Sequence, residues 1–235
     1  MSPTPASARE RVIVALDVPD LGALEAFLDR LEGEPRFCKI GLELFVAAGA
    51  QAIAAVKKRG AKVFLDLKLH DIPETVGRSV AVAAGFGVEL LTVHTAGGAE
   101  MLGRAVAAAG ETTRILGVTV LTSLSEADLA TDGITGSIAE AVARRARLAR
   151  QVGLGGLVCS PHEVARARGE APGLALVVPG VRPAGTAAGD QKRVATPAAT
   201  VAAGADYLVV GRPIRDAASP AQAFRDIVAE IESVA

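Results

Sequence analysis

Tryptophan is absent from this chain of 235 residues, tyrosine occurs once and phenylalanine six times, so aromatics make up only 3% of it. That scarcity argues against a platform on which unpaired bases would stack. A surplus of charge is missing too: 25 Lys and Arg stand against 26 Asp and Glu, for a formal net charge of −1. Such a balance gives no general attraction to nucleic acid or to an anionic membrane surface. The cysteines, Cys38 and Cys159, each sit in an apolar run without CxxC or metal-type spacing. They read as reduced core thiols of a cytoplasmic protein, not as a disulfide framework or a zinc site. Long hydrophobic runs are also lacking. The longest, Val80 to Val93, is interrupted by Glu89 and is too short to cross a bilayer. Met1 to Arg11 is polar, so no secretion signal is expected.

Apolar residues, by contrast, are plentiful at 50%, and the mean hydropathy is +0.36, enough to build a sizeable core. Short runs rich in Val, Ile and Leu alternate with Ala-rich segments of helical character. The strand candidates are Val12–Leu16, Phe37–Ile40, Lys62–Leu67, Leu90–His94, Ile115–Leu121, Gly156–Cys159, Leu174–Val178 and Tyr207–Val210. Near-continuous apolarity suits parallel strands covered on both faces. The helix candidates include Leu21–Leu31, Leu44–Lys58, Gly98–Ala109, Ser137–Val152 and Ala221–Ser233, and Thr196-Pro197 and Ser160-Pro161 mark further helix starts. About eight β-α units in one chain of this length predict an α/β fold, a closed (β/α)₈ barrel in a single domain over residues 1–235. Residues 1–10 are expected to be a flexible tail. A doubly wound open sheet is the alternative. The segments Ser123–Gly136 and Arg182–Gln191 read as long loops at the barrel end where active sites lie. The arginines of Arg144-Arg145-Ala146-Arg147, with Arg150, read as the wet face of a helix.

The stretch from Val63 to Pro73 is the most informative. It reads as a buried strand that nevertheless carries Asp66, Lys68 and Asp71 toward its end. In an extended chain alternate side chains share a face, which sets Asp66 beside Lys68. Opposed charges in a confined place are costly unless paired, so a structural salt bridge is the plain interpretation. Other strands, however, also end in polar residues: Asp17, Lys39, His94, Thr122-Ser123, Arg182 and Gly211-Arg212. A strand-end Asp or Thr is commonly a turn former and His94 a structural histidine. Together they form a ring of Asp, Lys, Ser, Thr and Arg around one barrel mouth. Glycine after the last strand, followed by Arg212 and a helix opening at Pro213, suits an anion such as phosphate.

With these residues in place, the chain resembles the orotidine 5′-phosphate decarboxylase family, of the bacterial type, from Val12 almost to its C-terminus. The resemblance is carried by Asp66-Leu67-Lys68-Leu69-His70-Asp71-Ile72-Pro73-Glu74-Thr75-Val76. Ala15-Leu16-Asp17, Lys39-Ile40-Gly41, Leu121-Thr122-Ser123, Pro179-Gly180-Val181-Arg182 and Val210-Gly211-Arg212-Pro213-Ile214 extend it in order. It implies removal of carbon dioxide from orotidine 5′-monophosphate, without a cofactor or metal. Lys39, Asp66, Lys68 and Asp71 would form the charged catalytic array, and Asp17 with Lys39 would hold the ribose. Thr122 and Ser123 would contact the pyrimidine. Arg182, Gln191, Gly211 and Arg212 would surround the phosphate, with the Arg182–Gln191 loop closing over it. A homodimer is implied, in which Asp71 and Thr75 reach the neighbouring subunit's site. Two rivals share parts of this pattern: a Mg²⁺-dependent sugar-phosphate decarboxylase or aldolase on the same barrel, and a catalytically silent nucleotide-binding barrel.

Overall fold

The computed structural model describes residues 5–183 and 195–234. Eight parallel strands form a closed barrel in chain order. They are β1 (Val12–Ala15), β2 (Phe37–Gly41), β3 (Lys62–Leu69), β4 (Leu90–His94), β5 (Arg114–Val118), β6 (Gly156–Val158), β7 (Ala175–Pro179) and β8 (Tyr207–Val210). Closure comes from β1, whose Val12, Ile13 and Val14 pair with Leu208, Val209 and Val210 of β8. Around the strands lie α1 (Ala8–Arg11), α2 (Leu21–Arg30), α3 (Leu42–Ala48), α4 (Ala50–Lys58), α5 (Pro73–Gly85) and α6 (Gly98–Ala108). They continue with α7 (Glu126–Thr131), α8 (Ile138–Gln151), α9 (Val164–Glu170), α10 (Pro197–Ala202), α11 (Arg212–Arg215) and α12 (Pro220–Glu232).

The period of two along each strand sorts its side chains into two cores. Inside the barrel pack Ile13, Phe37, Phe64, Leu90, Leu116, Ala175, Val177, Tyr207 and Val209. The alternate residues, such as Val12, Val14, Cys38, Val63, Leu65, Leu91, Leu176 and Leu208, pack outward against the helices. Burial on both faces explains why the strands read as unbroken apolar runs. Cys38 and Cys159 are buried free thiols, and burial raises both pKa values, that of Cys38 to about 12.

Most element boundaries lie within two residues of the sequence reading, and a few departures are larger. The Leu44–Lys58 segment begins earlier and is two helices, α3 and α4, divided at Gly49, whose φ of 53° lies in the left-handed region. The segment Ser123–Gly136 is not all loop. Its α7 is opened by a reciprocal cap in which the Ser125 hydroxyl accepts from the Asp128 N–H and Asp128 accepts from the Ser125 N–H. Strand β5 stops at Val118, short of Leu121. Within the presumed tail, Ala8–Arg11 is a helical turn capped by Ser7; Arg9 pairs with Glu34 and lies over the Phe224 ring. Among the described residues no helix is long and apolar enough to cross a membrane.

Candidate active site

The site follows from the inward face of the barrel. Two residues beyond Phe37, Phe64 and Leu90 stand Lys39, Asp66 and Thr92, which form a polar layer above the aromatic and aliphatic one. Asp17 joins them just past the end of β1. Their charges alternate and touch. Lys39 Nζ donates to Asp17 Oδ1 at 2.9 Å and stands 3.8 Å from Asp66 Oδ2. Lys68 Nζ donates to the same Asp66 oxygen at 2.8 Å. The sequence Asp17–Lys39–Asp66–Lys68 is therefore a chain of carboxylate, ammonium, carboxylate, ammonium. Lys39 and Asp66 are largely buried, which is tolerable because each has opposite charges in reach, while Asp17 and Lys68 stay partly open to solvent.

The expected neighbourhood of Asp66 and Lys68 is present, but regular alternation does not produce it. Strand β3 is irregular here: its pairing with β4 runs Leu65↔Leu91 and then Leu69↔Val93. Four steps along β3 are matched by two along β4, so Asp66, Leu67 and Lys68 bulge. Bulges of this kind re-aim side chains beside active sites. Lys68 has φ 51°, a left-handed conformation that costs a non-glycine residue roughly 1 kcal/mol. Its N–H is received by the Thr92 hydroxyl at 2.9 Å, and that hydroxyl donates to Asp66 Oδ1, also at 2.9 Å. Thr92 was not singled out by sequence reasoning. The available signal was a hydroxyl within Leu90-Leu91-Thr92-Val93, at the inward parity shared with Leu90.

Two glycines make room for this array. A Cβ on Gly41 would stand 3.0 Å from Lys39 Nζ and 3.2 Å from Asp17 Oδ1. One on Gly211 would come within 3.6 Å of Asp17 Oδ2. Gly211 thus brings the end of β8 against Asp17. It also caps the short α11, which begins at Arg212 rather than Pro213. The Arg215 guanidinium in that helix donates to the Asp17 carbonyl at 3.0 Å. Arg182 is largely buried, and its N–H donates to the carbonyl of Ala195 at 3.0 Å across the base of the loop that joins β7 to α10. Gln191, assigned to the phosphate, lies outside the described residues.

Other predicted residues do not join the array within one chain. Asp71 is exposed, and its carboxylate accepts from the N–H of Ile72 at 2.7 Å. Thr75 is exposed on the first turn of α5. Thr122 and Ser123 are exposed in a turn closed by the bond from Leu124 N to Leu121 O.

A pair of histidines flanks the array. The His70 and His94 rings stack at 5.4 Å and 21°. Burial pushes the His94 pKa down to about 4, with the positive charge of Arg145, then His70 and Lys68, acting in the same direction. His94 is accordingly neutral at pH 7. Its ring nitrogen accepts from the Ala96 N–H at 3.4 Å, as expected of a structural histidine. Arg145 departs from the wet-face reading: it is partly buried and donates to the Thr119 carbonyl, whereas Arg147 pairs with Glu170 at the surface. Among the described residues, no group of three or more His, Cys, Asp or Glu is arranged to hold a metal ion.

Two clefts lie elsewhere. One, of about 330 Å³, opens at the N-terminal mouth among residues that include Arg36, Phe37, Lys62, Glu89, Arg114 and Tyr207. The other, an apolar groove of about 390 Å³, runs between Phe45, Leu67, Leu69, Val82 and Phe86.

Comparison with known proteins points to one family. Residues 10–227 match the family described as Orotidine 5′-phosphate decarboxylase / HUMPS. A curated relative from Anaeromyxobacter sp. (strain K), named Orotidine 5′-phosphate decarboxylase, is 57% identical over 221 residues, covering 94% of this chain and 97% of its own. One of the same name from Rhodopseudomonas palustris (strain BisA53) is 51% identical over 229 residues, 97% of each chain. The crystal structure of Orotidine 5′-phosphate decarboxylase from Lactobacillus acidophilus superposes with a TM-score of 0.83 at 35% identity, covering 94% of this chain and 99% of that one.

Proposed function

Because the chain belongs to the orotidine 5′-phosphate decarboxylase / HUMPS family, we infer that it converts orotidine 5′-monophosphate to uridine 5′-monophosphate and carbon dioxide. The observation that carries this reading is Lys68 Nζ, 2.8 Å from Asp66 at the mouth of a barrel of that family. Loss of carbon dioxide from C6 leaves a vinylic electron pair that no neighbouring carbonyl is placed to accept. A fixed cation and a proton are needed at that carbon, and the Lys68 ammonium supplies both.

A substrate carboxylate beside Asp66 is also repelled. At about 4 Å and an effective dielectric near 20, the repulsion is roughly 4 kcal/mol, or about three decades of rate. That falls well short of the upper range of enzymatic acceleration, so ground-state repulsion is the smaller contribution. The larger one is the preorganised field of Lys68, which flanking acids hold in place before substrate arrives. Asp17 and Lys39 suit the ribose hydroxyls. Arg182, Gly211 and Arg212, with Gln191, serve the phosphate, whose binding energy from a remote site contributes to the reacting centre. Thr122 and Ser123 serve the pyrimidine.

The working unit in this reading is a homodimer. Exposed apolar side chains support it: Leu42 is 53%, Val46 82%, Ile72 66% and Val82 62% accessible, and Val82 lines the apolar groove with Phe45, Leu67, Leu69 and Phe86. Ile72 directly follows Asp71, so a face covered by a second copy would deliver Asp71 and Thr75 to the partner's site. Mixing Lys68→Ala with Asp71→Ala protein tests the sharing: hybrid dimers with one intact site regain activity, and no recovery would count against it.

The decisive assay adds purified protein to orotidine monophosphate in EDTA and follows the ultraviolet change and carbon dioxide. One equivalent of each product is expected. Activity that disappears on chelation would point to the Mg²⁺-dependent reading. Tight uridine monophosphate binding with no turnover would point to a silent nucleotide binder.

A further inference from the structure

We propose that Thr92 is the positioning residue that sets Asp66 and Lys68 in their reactive arrangement. The proposal rests on the decarboxylase reading and adds a residue outside the charged array. Thr92 sits on the inward face of β4 with 0% of its surface accessible. Its hydroxyl touches both halves of the pair, receiving the Lys68 N–H and donating to Asp66 Oδ1, each at 2.9 Å. The direction of these bonds is forced. A backbone amide can only donate and an ionised carboxylate can only accept, so the single hydroxyl proton is committed to Asp66.

The contact compensates for what the bulge in β3 removes. Between its pairings at Leu65 and Leu69 the strand is out of step with β4. The Thr92 hydroxyl, a side chain, receives an amide that a regular ladder would have given to a backbone carbonyl. That amide belongs to the residue held at φ 51°. With the hydroxyl gone, two constraints disappear together. The Lys68 backbone is released to relax toward the extended region, carrying its ammonium away from C6. The Asp66 carboxylate, gripped by Lys68 through Oδ2, becomes able to rotate about its own axis. A β-branched residue that served only to fill a strand position would have no use for the hydroxyl, and valine would replace it.

Thr92→Val keeps the shape and deletes the hydroxyl; Thr92→Ser keeps the hydroxyl and trims the methyl. Thr92→Val is expected to lower kcat about 30- to 300-fold, with KM and uridine monophosphate affinity within about threefold of the parent. Thr92→Ser is expected to retain kcat within about threefold. Thr92→Cys, whose thiol is a weak donor, is expected to fall between them. A Thr92→Val enzyme within twofold of the parent kcat, or a Thr92→Ser enzyme as slow as Thr92→Val, overturns the assignment. Should Thr92→Val not fold, Thr92→Cys matching Thr92→Ser in kcat overturns it equally. The parent, assayed in parallel, separates the two readings, since failure of the parent to release carbon dioxide strikes the decarboxylase reading itself.

Discussion

Lys62 and Lys68 occupy opposite ends of the same strand. Lys62 opens β3 at the N-terminal mouth, exposed, in a cleft shared with Arg36, Glu89 and Arg114. Lys68 lies near the other end, off the regular ladder, with its amide, its ammonium and its neighbouring carboxylate all engaged. Both mouths thus gather acids and bases above an apolar interior. The difference lies in commitment. At the N-terminal mouth Lys62 is exposed, and Glu89 is spent on a structural bond to the Val63 N–H at 2.7 Å. At the C-terminal mouth four charged groups hold one another on the inward face. A charged cleft is therefore not a site by virtue of its volume; chemistry needs charges whose positions are fixed before the ligand comes.

The sharpest attack on this contrast is Lys68→Ala. It should lower kcat by at least about four decades while uridine monophosphate still binds, because it deletes both the cation and the proton source. Steady-state turnover with a separate binding titration checks it; decarboxylation at the parent rate would remove Lys68 from its role. Next comes Arg212→Ala, expected to raise KM about 10- to 100-fold with a much smaller change in kcat, as befits a charge-assisted contact to a remote phosphate.

A smaller effect concerns pH. With a folded pKa of about 4 against an ordinary 6.5, His94 stays neutral in the fold where the unfolded chain takes up a proton. The stability present above pH 6.5 is therefore lost as pH falls toward 4, by about 1–2 kcal/mol once solvent access is allowed for. Urea unfolding at pH 7 and pH 5 should show about half of that drop, and His94→Gln should show less of it. The smallest effect belongs to Lys62→Ala, expected to leave kcat/KM within about twofold and stability within about 0.5 kcal/mol. A large loss there would give the N-terminal cleft a role that the contrast denies it.

Much of this was legible in the chain itself because parallel strands buried on both faces announce themselves as apolar runs. The eight strands fall where those runs lie, and Thr196-Pro197 does open a helix, its hydroxyl accepting from the Ala199 N–H. The charged array was visible as polar residues at strand ends. What escaped depends on partners distant in sequence. The φ of Lys68 is tied to a hydroxyl 24 residues away, and nothing local to Asp66-Leu67-Lys68 requires a bulge. Arg145 looks like its solvated neighbours until Thr119 supplies a carbonyl. The break at Gly49 and the cap at Ser125, by contrast, carried local signals: a glycine within a helical run and the spacing of Ser125 to Asp128.

The pairing of Val12–Val14 with Leu208–Val210 also bears on how the molecule is made. Of the eight barrel strands β1 comes first in the chain, and one edge of its four residues stays unmatched until β8 has been translated. Over that interval an apolar segment with unpaired backbone N–H and C=O groups stands open, and its safety depends on chaperones or on the speed of elongation. Slowing synthesis just upstream of Tyr207 would lengthen that wait and is a simple way to turn a well-folding barrel into an aggregating one.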